Sequence, residues 1–265
     1  MSSSIHLLFS SDFSLNPAQD TYCGTKHMTA DMCDGAAREA GASSIEAEPS
    51  PCRIAAATTA LVVIDMQRDF LEPGGFGESL GNDVSLLRTA ISPCAELLSA
   101  CRDSGLLVVH TREGHRPDLS DLPTQKFLHG PEGKRIGDLG PMGRILVRGE
   151  TGHDIVPELY PLPLEPVVDK PGKGAFFATD LHTILRSRGI QTLLVCGVTT
   201  EVCVQATVRE ANDRGFACVV AAEACSSFFP EFHTIGLAMI KAQGGILGRV
   251  ASVANVVKAV KQLRS

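Results

Sequence analysis

Three residues of the sequence have the types and positions that nucleophilic catalysis needs: Cys203, Asp65 and Lys170. Each lies at or just beyond the end of a short apolar run that predicts a buried strand. Cys203 follows the segment GVTT (197–200) and lies in the first turn of a predicted helix. Unpaired N–H groups and the helix dipole at such a position favour a thiolate. The same N–H groups can stabilise an oxyanion, so this pattern is typical of a cysteine nucleophile.

Asp65 and Lys170 are candidate partners of that cysteine. Asp65 directly follows the apolar run ALVVI (60–64), where a carboxylate has either a charged partner or a raised pKa, as a general base requires. Lys170 can balance the charges of Asp65 and Cys203. Each of the three also has a structural interpretation: a strand-end aspartate, a solvated lysine and a buried core cysteine.

The segments around these residues predict the fold. Near-continuous apolar runs alternate with helical segments from residue 60 onward, which indicates a parallel sheet covered on both faces. The predicted strands are 60–64, 106–111, 165–170, 192–198, 217–223 and 246–252. The predicted helices are 93–104, 180–188, 200–214, 229–243 and 253–263. We therefore expect a doubly wound α/β/α domain with its site outside the carboxyl ends of the strands.

The strand order decides whether the candidates can meet. In the usual order of such sheets, the strand before Lys170 is two strands away from the strand before Asp65, roughly 10 Å at normal spacing. Only a lysine that reaches inward along the loop DKPGKGAFF (169–177) can close that gap.

Two stretches lack regular periodicity. Residues 1–59 are rich in small and polar residues, which predicts a mostly disordered N-terminal extension before a domain over 60–265. The stretch 112–153 is rich in Gly, Pro, Asp and Arg. A loop of that length inside a compact domain is usually functional or partly disordered.

Composition excludes several classes of protein. The chain has 265 residues and a formal net charge of −6, without a basic block, so we expect no nucleic-acid partner and no anionic membrane partner. No apolar run approaches the roughly 20 residues of a membrane helix. Nine cysteines without a CxxC pair predict reduced thiols and a cytoplasmic location.

Cofactor signals are weak, so we predict neither a metal nor an organic cofactor. The sequence has no Walker loop, no GxGxxG, no Asp-x-His pair and no GxSxG.

Two further residues can serve as ligands for a small polar molecule. Lys173 either binds such a ligand or faces solvent, and Gln243 either reaches the site or simply ends a helix before Gly244.

Three segments together resemble the isochorismatase-like cysteine hydrolase superfamily: VVIDMQRDFLE (62–72), DKPGKGAFFATDL (169–181) and CGVTTEVCV (196–204). The resemblance implies a three-layer α/β/α fold with a six-stranded parallel sheet in the order 3-2-1-4-5-6. It also implies site residues: the catalytic triad Asp65, Lys170 and Cys203, a cis peptide bond between Val198 and Thr199, and an oxyanion hole formed by the Thr199 and Cys203 N–H groups.

Within the superfamily, the segments HTREGHRPDLSDLP (110–123) and MIKAQGG (239–245) resemble the biuret and triuret hydrolases. This implies hydrolysis of a C–N bond in a small urea-like amide, with biuret giving allophanate and ammonia. It further implies Lys173 and Gln243 as substrate-binding residues, no cofactor and a homotetramer.

Several alternatives stay open. Rival substrates are triuret, ureidoacrylate and N-carbamoyl compounds, since the pocket shape depends on 112–153 and on SSFFPEFH (226–233), which is bulkier than the resemblance leads us to expect. Two other classes of protein are a non-catalytic binder of small molecules and a redox thiol protein.

Overall fold

A computed structural model of the chain describes residues 41–264. The disorder predicted for residues 1–40 lies outside the described residues. Residues 41–59 differ from the prediction, because they include an antiparallel hairpin of β1 (Ala42–Ile45) and β2 (Cys52–Ala55). Its strands have only four residues each, too few for a recognisable period, yet Ile45 and Ile54 are buried in the core. The domain therefore begins before residue 60.

Six parallel strands form the central sheet. They are β3 (Thr59–Ile64), β4 (Leu107–Glu113), β7 (Val167–Lys170), β8 (Thr192–Val198), β9 (Ala217–Ser226) and β10 (Arg249–Ala251). Their spatial order is β10-β9-β8-β3-β4-β7. Counted along the chain within this sheet, the order is 3-2-1-4-5-6, so the predicted fold is confirmed. A separate small hairpin consists of β5 (Leu139–Gly140) and β6 (Gly143–Arg144).

Helices cover both faces of the sheet. They are α1 (Arg68–Leu71), α2 (Phe76–Ser79), α3 (Val84–Arg88), α4 (Ile91–Asp103), α5 (Thr124–Phe127), α6 (Leu181–Ser187), α7 (Gln205–Asp213), α8 (Pro230–Gly245) and α9 (Val253–Gln262). Buried side chains of α4 and α9 form one apolar cluster with the sheet. Those of α6, α7 and α8 form a second cluster on its other face.

The strand β3 shows why the sequence contains continuous apolar runs. All six of its residues are buried. Leu61 and Val63 pack into the cluster with α4, whereas Val62 and Ile64 pack into the cluster with α7. A strand covered on both faces has no polar side. Each such side chain contributes about 1.5–3 kcal/mol through burial, which fixes the sheet as the rigid support of the site.

The segment Val84–Asp103 passes the length and hydropathy test for a membrane-spanning helix, contrary to the expectation that no run would. Half of it is buried in the fold. Leu97 and Leu98 of α4 are buried in the core. Packing of a core helix against the sheet accounts for its apolar composition.

Two details at the carboxyl edge of the sheet matter for the site. The strand β4 extends two residues beyond its predicted end, so that Glu113 is its last residue. The predicted helix 200–214 begins as a π-helical turn (Thr200–Val204) and continues as α7.

Candidate active site

Asp65 and Lys170 form a buried ion pair at the carboxyl edge of the sheet. Lys170 Nζ lies 2.7 Å from Asp65 Oδ2, and both side chains are fully buried. The Thr111 hydroxyl donates a hydrogen bond to Asp65 Oδ1 at 2.6 Å. No described residue donates a well-directed hydrogen bond to Oδ2. That oxygen therefore keeps a lone pair for a proton.

Lys170 ends β7, which is separated from β3 by β4, and its side chain reaches inward across β4 to make this pair. Its Nζ donates hydrogen bonds to the carbonyl oxygens of Gly172 and Lys173 at 3.0 and 2.9 Å. Burial opposes the charge of the ammonium, but the nearby acidic groups, Asp65 foremost, outweigh it and raise the pKa of Lys170. The lysine is thus a fixed positive charge.

Cys203 lies beside this pair, in the π-helical turn that follows β8. The Cys203 sulfur lies close to both acids. It and one carboxylate oxygen from each of Asp65 and Glu113 are all within 4.8 Å of one another. Burial raises the pKa of Cys203 well above its ordinary value, although Lys170 lowers it. This differs from the thiolate that the helix start predicts, since desolvation outweighs the attraction of the nearby ammonium groups. The resting nucleophile is a thiol that needs a base.

The peptide bond between Val198 and Thr199 is cis, as the resemblance implies. Thr199 and Cys203 both line the same cavity. Gly197, just before this bond, has φ +116°, and a Cβ atom there would collide with the carbonyl oxygen of Ile64. The end of β8 therefore requires glycine at this position. The roles of the Thr199 and Cys203 N–H groups in an oxyanion hole stay a prediction.

Glu113 is the site residue that the sequence did not reveal. Its carboxylate is fully buried, and Oε2 accepts a hydrogen bond from the Cys203 thiol at 3.4 Å. Burial alone would raise its pKa, but the ammonium groups of Lys170, Lys173 and Lys126 lower the pKa to about 2. Glu113 is therefore a permanent carboxylate at the nucleophile.

Two further lysines surround Glu113. Lys173 Nζ donates a hydrogen bond to Glu113 Oε1 at 2.6 Å, and its side chain is 45% exposed. Lys126 Nζ lies 3.7 Å from the same oxygen and donates a hydrogen bond to the carbonyl oxygen of Pro171 at 2.6 Å. Lys126 belongs to the stretch 112–153. The structure thus brings the predicted Lys173 to the site, with an unforeseen partner.

The site opens into a cavity of about 200 Å³. Glu113, Lys173, Thr199 and Cys203 belong to its polar part. Most of its remaining wall is apolar: Phe70, Phe76, Leu80, Val198, Val202, Phe228 and Phe229. Two of these phenylalanines come from the segment 226–233, which confirms that this segment shapes the pocket. A cavity of this size suits a molecule of a few heavy atoms.

The structure does not bring Gln243 to this cavity. Gln243 is exposed near the end of α8, with φ +51°. Since α8 starts beyond the carboxyl end of β9 and leads back to the start of β10, its last residues lie at the opposite edge of the sheet. Within one chain, Gln243 therefore lies away from this cavity, and its contact with a substrate stays a prediction.

A metal ion is a chemical alternative for the acidic cluster. Asp65, Glu113 and Cys203 offer three ligand atoms in one place. However, the ammonium groups of Lys170 and Lys173 already lie at hydrogen-bonding distance from the two carboxylates. These cations supply the charge that a metal would supply, so the residues fit a metal poorly. The absence of a metal cofactor stays a prediction.

The chain is similar to known hydrolases over most of its length. The isochorismatase domain family matches residues 59–252. A ureidoacrylate amidohydrolase RutB of Azorhizobium caulinodans is 31% identical over 223 residues, which cover 83% of this chain and 97% of that protein. The protein of the same name from Methylorubrum extorquens is 34% identical, over 69% of this chain and 76% of its own length.

Solved structures agree with the sequence relatives. The crystal structure of a cysteine hydrolase from Pseudomonas syringae pv. phaseolicola superposes with a TM-score of 0.68 at 27% identity, covering 79% of this chain and 95% of that one. The match over 59–252 includes Asp65, Lys170 and Cys203. The chain therefore belongs to the isochorismatase family of hydrolases.

Proposed function

We propose that this protein is a cysteine amidohydrolase that cleaves a C–N bond of a small urea-like amide, with biuret as its leading substrate. The observation that carries the proposal is the juxtaposition of the Cys203 thiol with a buried Asp65–Lys170 pair. Nucleophilic catalysis needs such a base within reach of the nucleophile. The relatives named as ureidoacrylate amidohydrolases support amide chemistry of this kind.

The first half of the reaction forms a thioester. Asp65 takes the thiol proton, and the sulfur attacks a carbonyl carbon of the substrate, with the Thr199 and Cys203 N–H groups holding the oxyanion. The C–N bond then breaks, and Asp65 returns the proton to the departing nitrogen as ammonia. Lys170 holds its positive charge beside the carboxylate throughout, and so stabilises the negative charge that moves between sulfur and oxygen.

The second half returns the enzyme to its resting state. Water gives a proton to Asp65 and attacks the thioester carbon. The C–S bond breaks, the sulfur regains the proton, and the acid product leaves. For biuret, the two halves together give ammonia and allophanate. Glu113 stays ionised beside the sulfur, since a pKa of about 2 makes its carboxylate a weak proton acceptor.

Ureidoacrylate is the second candidate substrate, because it is the compound in the relatives' names. Triuret and N-carbamoyl compounds carry the same urea-type bond. The small cavity favours the shorter members of this group.

Two other classes of protein are less well supported. Binding a small molecule without catalysis does not require the buried Asp65–Lys170 pair beside the thiol. A redox role would need a partner thiol near Cys203, and the described residues that line the cavity include no second cysteine.

Ammonia release by the purified protein tests the proposal. We expect biuret to be consumed, alone or together with triuret or ureidoacrylate, and Cys203→Ser to abolish the release. Cys218→Ser is the matched control, because Cys218 is an equally buried thiol at the start of β9, away from the cavity. Equal rates in the wild type and Cys203→Ser would refute the nucleophile. Activity on another amide of the panel would change only the substrate.

Some expectations remain proposals. We propose that the protein works without a cofactor, in the cytoplasm, and without nucleic-acid or membrane partners. The homotetramer is likewise a proposal, which light scattering on the eluted protein can test. An exposed apolar stripe on α8, formed by Phe232, Ile235 and Met239, is a surface on which subunits can associate.

A further inference from the structure

The backbone segment that carries Cys203 has an uncommon form. It is a single π-helical turn (Thr200–Val204), called the nucleophile turn below, in which the N–H of Val204 donates a hydrogen bond to the carbonyl oxygen of Thr199 at 3.2 Å. Such turns are rare and occur mostly one at a time, frequently at functional sites. The position of the Cys203 sulfur therefore depends on the neighbouring contacts that hold this turn.

Helix α8 contacts the nucleophile turn at both ends. At its first residue, the Thr200 hydroxyl and His233 Nδ1 share a hydrogen bond of 2.8 Å. Directly after its last residue, Gln205 Nε2 donates a hydrogen bond to the carbonyl oxygen of Gly236 at 3.1 Å. Residues 233 and 236 lie on the same face of α8, because residues three apart in a helix are neighbours. The turn is thus fixed at two points to one helix.

Gly236 allows α8 to approach the turn closely. A Cβ atom at this position would lie 3.2 Å from Thr200 Cγ2 and 3.8 Å from Glu201 Cα, so the helix and the turn are in direct contact. Thr200 is fully buried, and among the described residues His233 is the hydrogen-bond partner of its hydroxyl. Loss of that partner would leave a buried hydroxyl unsatisfied and destabilise this arrangement of the turn.

The contact between Thr200 and His233 lies outside the cavity. Neither residue is among the described residues that line it, whereas Glu201, Val202 and Cys203 of the same turn are. The contact can therefore influence a substrate only through the backbone of the nucleophile turn. This separates it from the residues of the mouth, which touch the space that a substrate enters.

We infer that His233 and Thr200 are positioning residues, which hold the Cys203 sulfur in place beside Asp65 and Glu113. This inference rests on the proposed function and assigns to α8 a part in the reaction without contact to the substrate. A displacement of about 1 Å at a reacting atom can lower a rate about a hundredfold. Loss of the hydrogen bond should therefore impair the chemical step and leave substrate binding nearly unchanged.

Two substitutions of His233 test the inference. His233→Leu removes the hydrogen bond, whereas His233→Asn keeps an amide group near the position of Nδ1. We expect kcat for biuret, or for ureidoacrylate if the wild type prefers it, to fall about tenfold to a hundredfold in His233→Leu, while KM changes less than about threefold. Ammonia release measures both constants. His233→Asn should restore most of the wild-type kcat.

Two substitutions of Thr200 test the same bond from its other end. Thr200→Val should reproduce the loss in His233→Leu, and Thr200→Ser, which keeps the hydroxyl, should not. Thr200→Val combined with His233→Leu should be no slower than the slower single variant, because both changes remove the same hydrogen bond. His182→Leu is the control and should be neutral, since His182 is an exposed histidine of α6 outside the cavity.

The outcomes separate this inference from the proposed function. A melting curve establishes that each variant is folded, and if His233→Leu does not fold, the two Thr200 variants decide. Cys203-dependent turnover with an unchanged kcat in the folded variants overturns the positioning role and leaves the amidohydrolase intact. Equal losses in His233→Leu and His233→Asn, or a change in KM alone, also overturn it. Absence of Cys203-dependent turnover of every tested amide overturns the proposed function, and the positioning role with it.

Discussion

The floor and the mouth of the same cavity are built in opposite ways. The floor consists of Glu113 and Cys203, which line the cavity, together with Lys170 and Asp65, which contact them without lining it. These four side chains are almost completely buried. The mouth consists of Leu80, Val202 and Phe229, which are 47%, 38% and 44% exposed. The difference indicates that the central sheet fixes the reacting groups, whereas the segments outside it shape what can enter.

The two regions also differ in how their side chains are held. Each floor residue has charged or hydrogen-bonded partners from other elements, as Asp65 has in Thr111 and Lys170. Phe229 of the mouth has a ring contact with Phe232, itself partly exposed on α8. Changes in the floor should therefore affect the chemical step or the fold, and changes in the mouth should affect substrate binding.

The largest effect is expected at the base. Asp65→Asn keeps the shape of the side chain but cannot take the thiol proton, so kcat should fall about a hundredfold to ten-thousandfold. Steady-state ammonia release measures this. Asp213→Asn, at the exposed end of α7, is the control and should be neutral. Near-normal kcat in Asp65→Asn would show that Asp65 is not the base. It would also contradict the claim that the floor residues determine the chemical step.

Lys170→Met should damage both the activity and the fold. It leaves the carboxylates of Asp65 and Glu113 buried without their shared ammonium, a change that typically costs about 3–5 kcal/mol of unfolding free energy. Denaturant unfolding measures the loss. Lys258→Met, on the exposed side of α9, should leave the midpoint unchanged. Equal stability of the two variants would show that the ion pair is not a structural requirement.

Glu113 should make the stability depend on acid pH. Its folded-state pKa of about 2 lies below its ordinary value of 4.5, so its contribution is present above pH 4.5 and is lost as the pH falls towards 2. The contribution corresponds to about 3 kcal/mol. The difference in unfolding free energy between wild type and Glu113→Gln should shrink over this window. A difference that stays constant from about pH 5 to about pH 2 would contradict the buried ion cluster.

The smallest effect is expected at the mouth. Phe229→Ala removes part of the apolar wall but no reacting group, so KM should rise about two- to tenfold while kcat changes little. Leu164→Ala, at a side chain that is 96% exposed and outside the cavity, is the control. A large fall in kcat in Phe229→Ala would show that the mouth takes part in the chemical step.

The same contrast explains what could be predicted from sequence. Asp65 directly follows β3, where burial on both faces leaves no polar position among the last five residues and so makes the apolar run visible. Lys170 ends the edge strand β7, where two valines before Asp169 are the only apolar signal. Glu113 was missed because the last two residues of β4 are Arg112 and Glu113, which look like the start of a loop. Pairing with β7 extends the strand, and that information is not local. A buried Glu can be predicted only once its lysine partners are placed.

The structure differs from the sequence predictions at Gln243 and in residues 41–59 for related reasons. The segment around Gln243 resembles a substrate-binding motif, but the direction of α8 takes it to the other edge of the sheet. The hairpin of β1 and β2 is stabilised by distant contacts, such as the pairing of Glu48, in the loop between the two strands, with Val250 in β10. Short segments held by long-range contacts carry little periodic signal.

The most direct test of the account is to trap the covalent intermediate. Acid quenching during turnover of biuret, followed by mass spectrometry of the digested protein, should find an allophanoyl group, which is biuret without the departing ammonia, on the Cys203 peptide. The other cysteine peptides should be unmodified, and the adduct should disappear when biuret is exhausted. Ammonia formation at the normal rate with Cys203 alkylated beforehand would contradict the claim that its sulfur is the nucleophile.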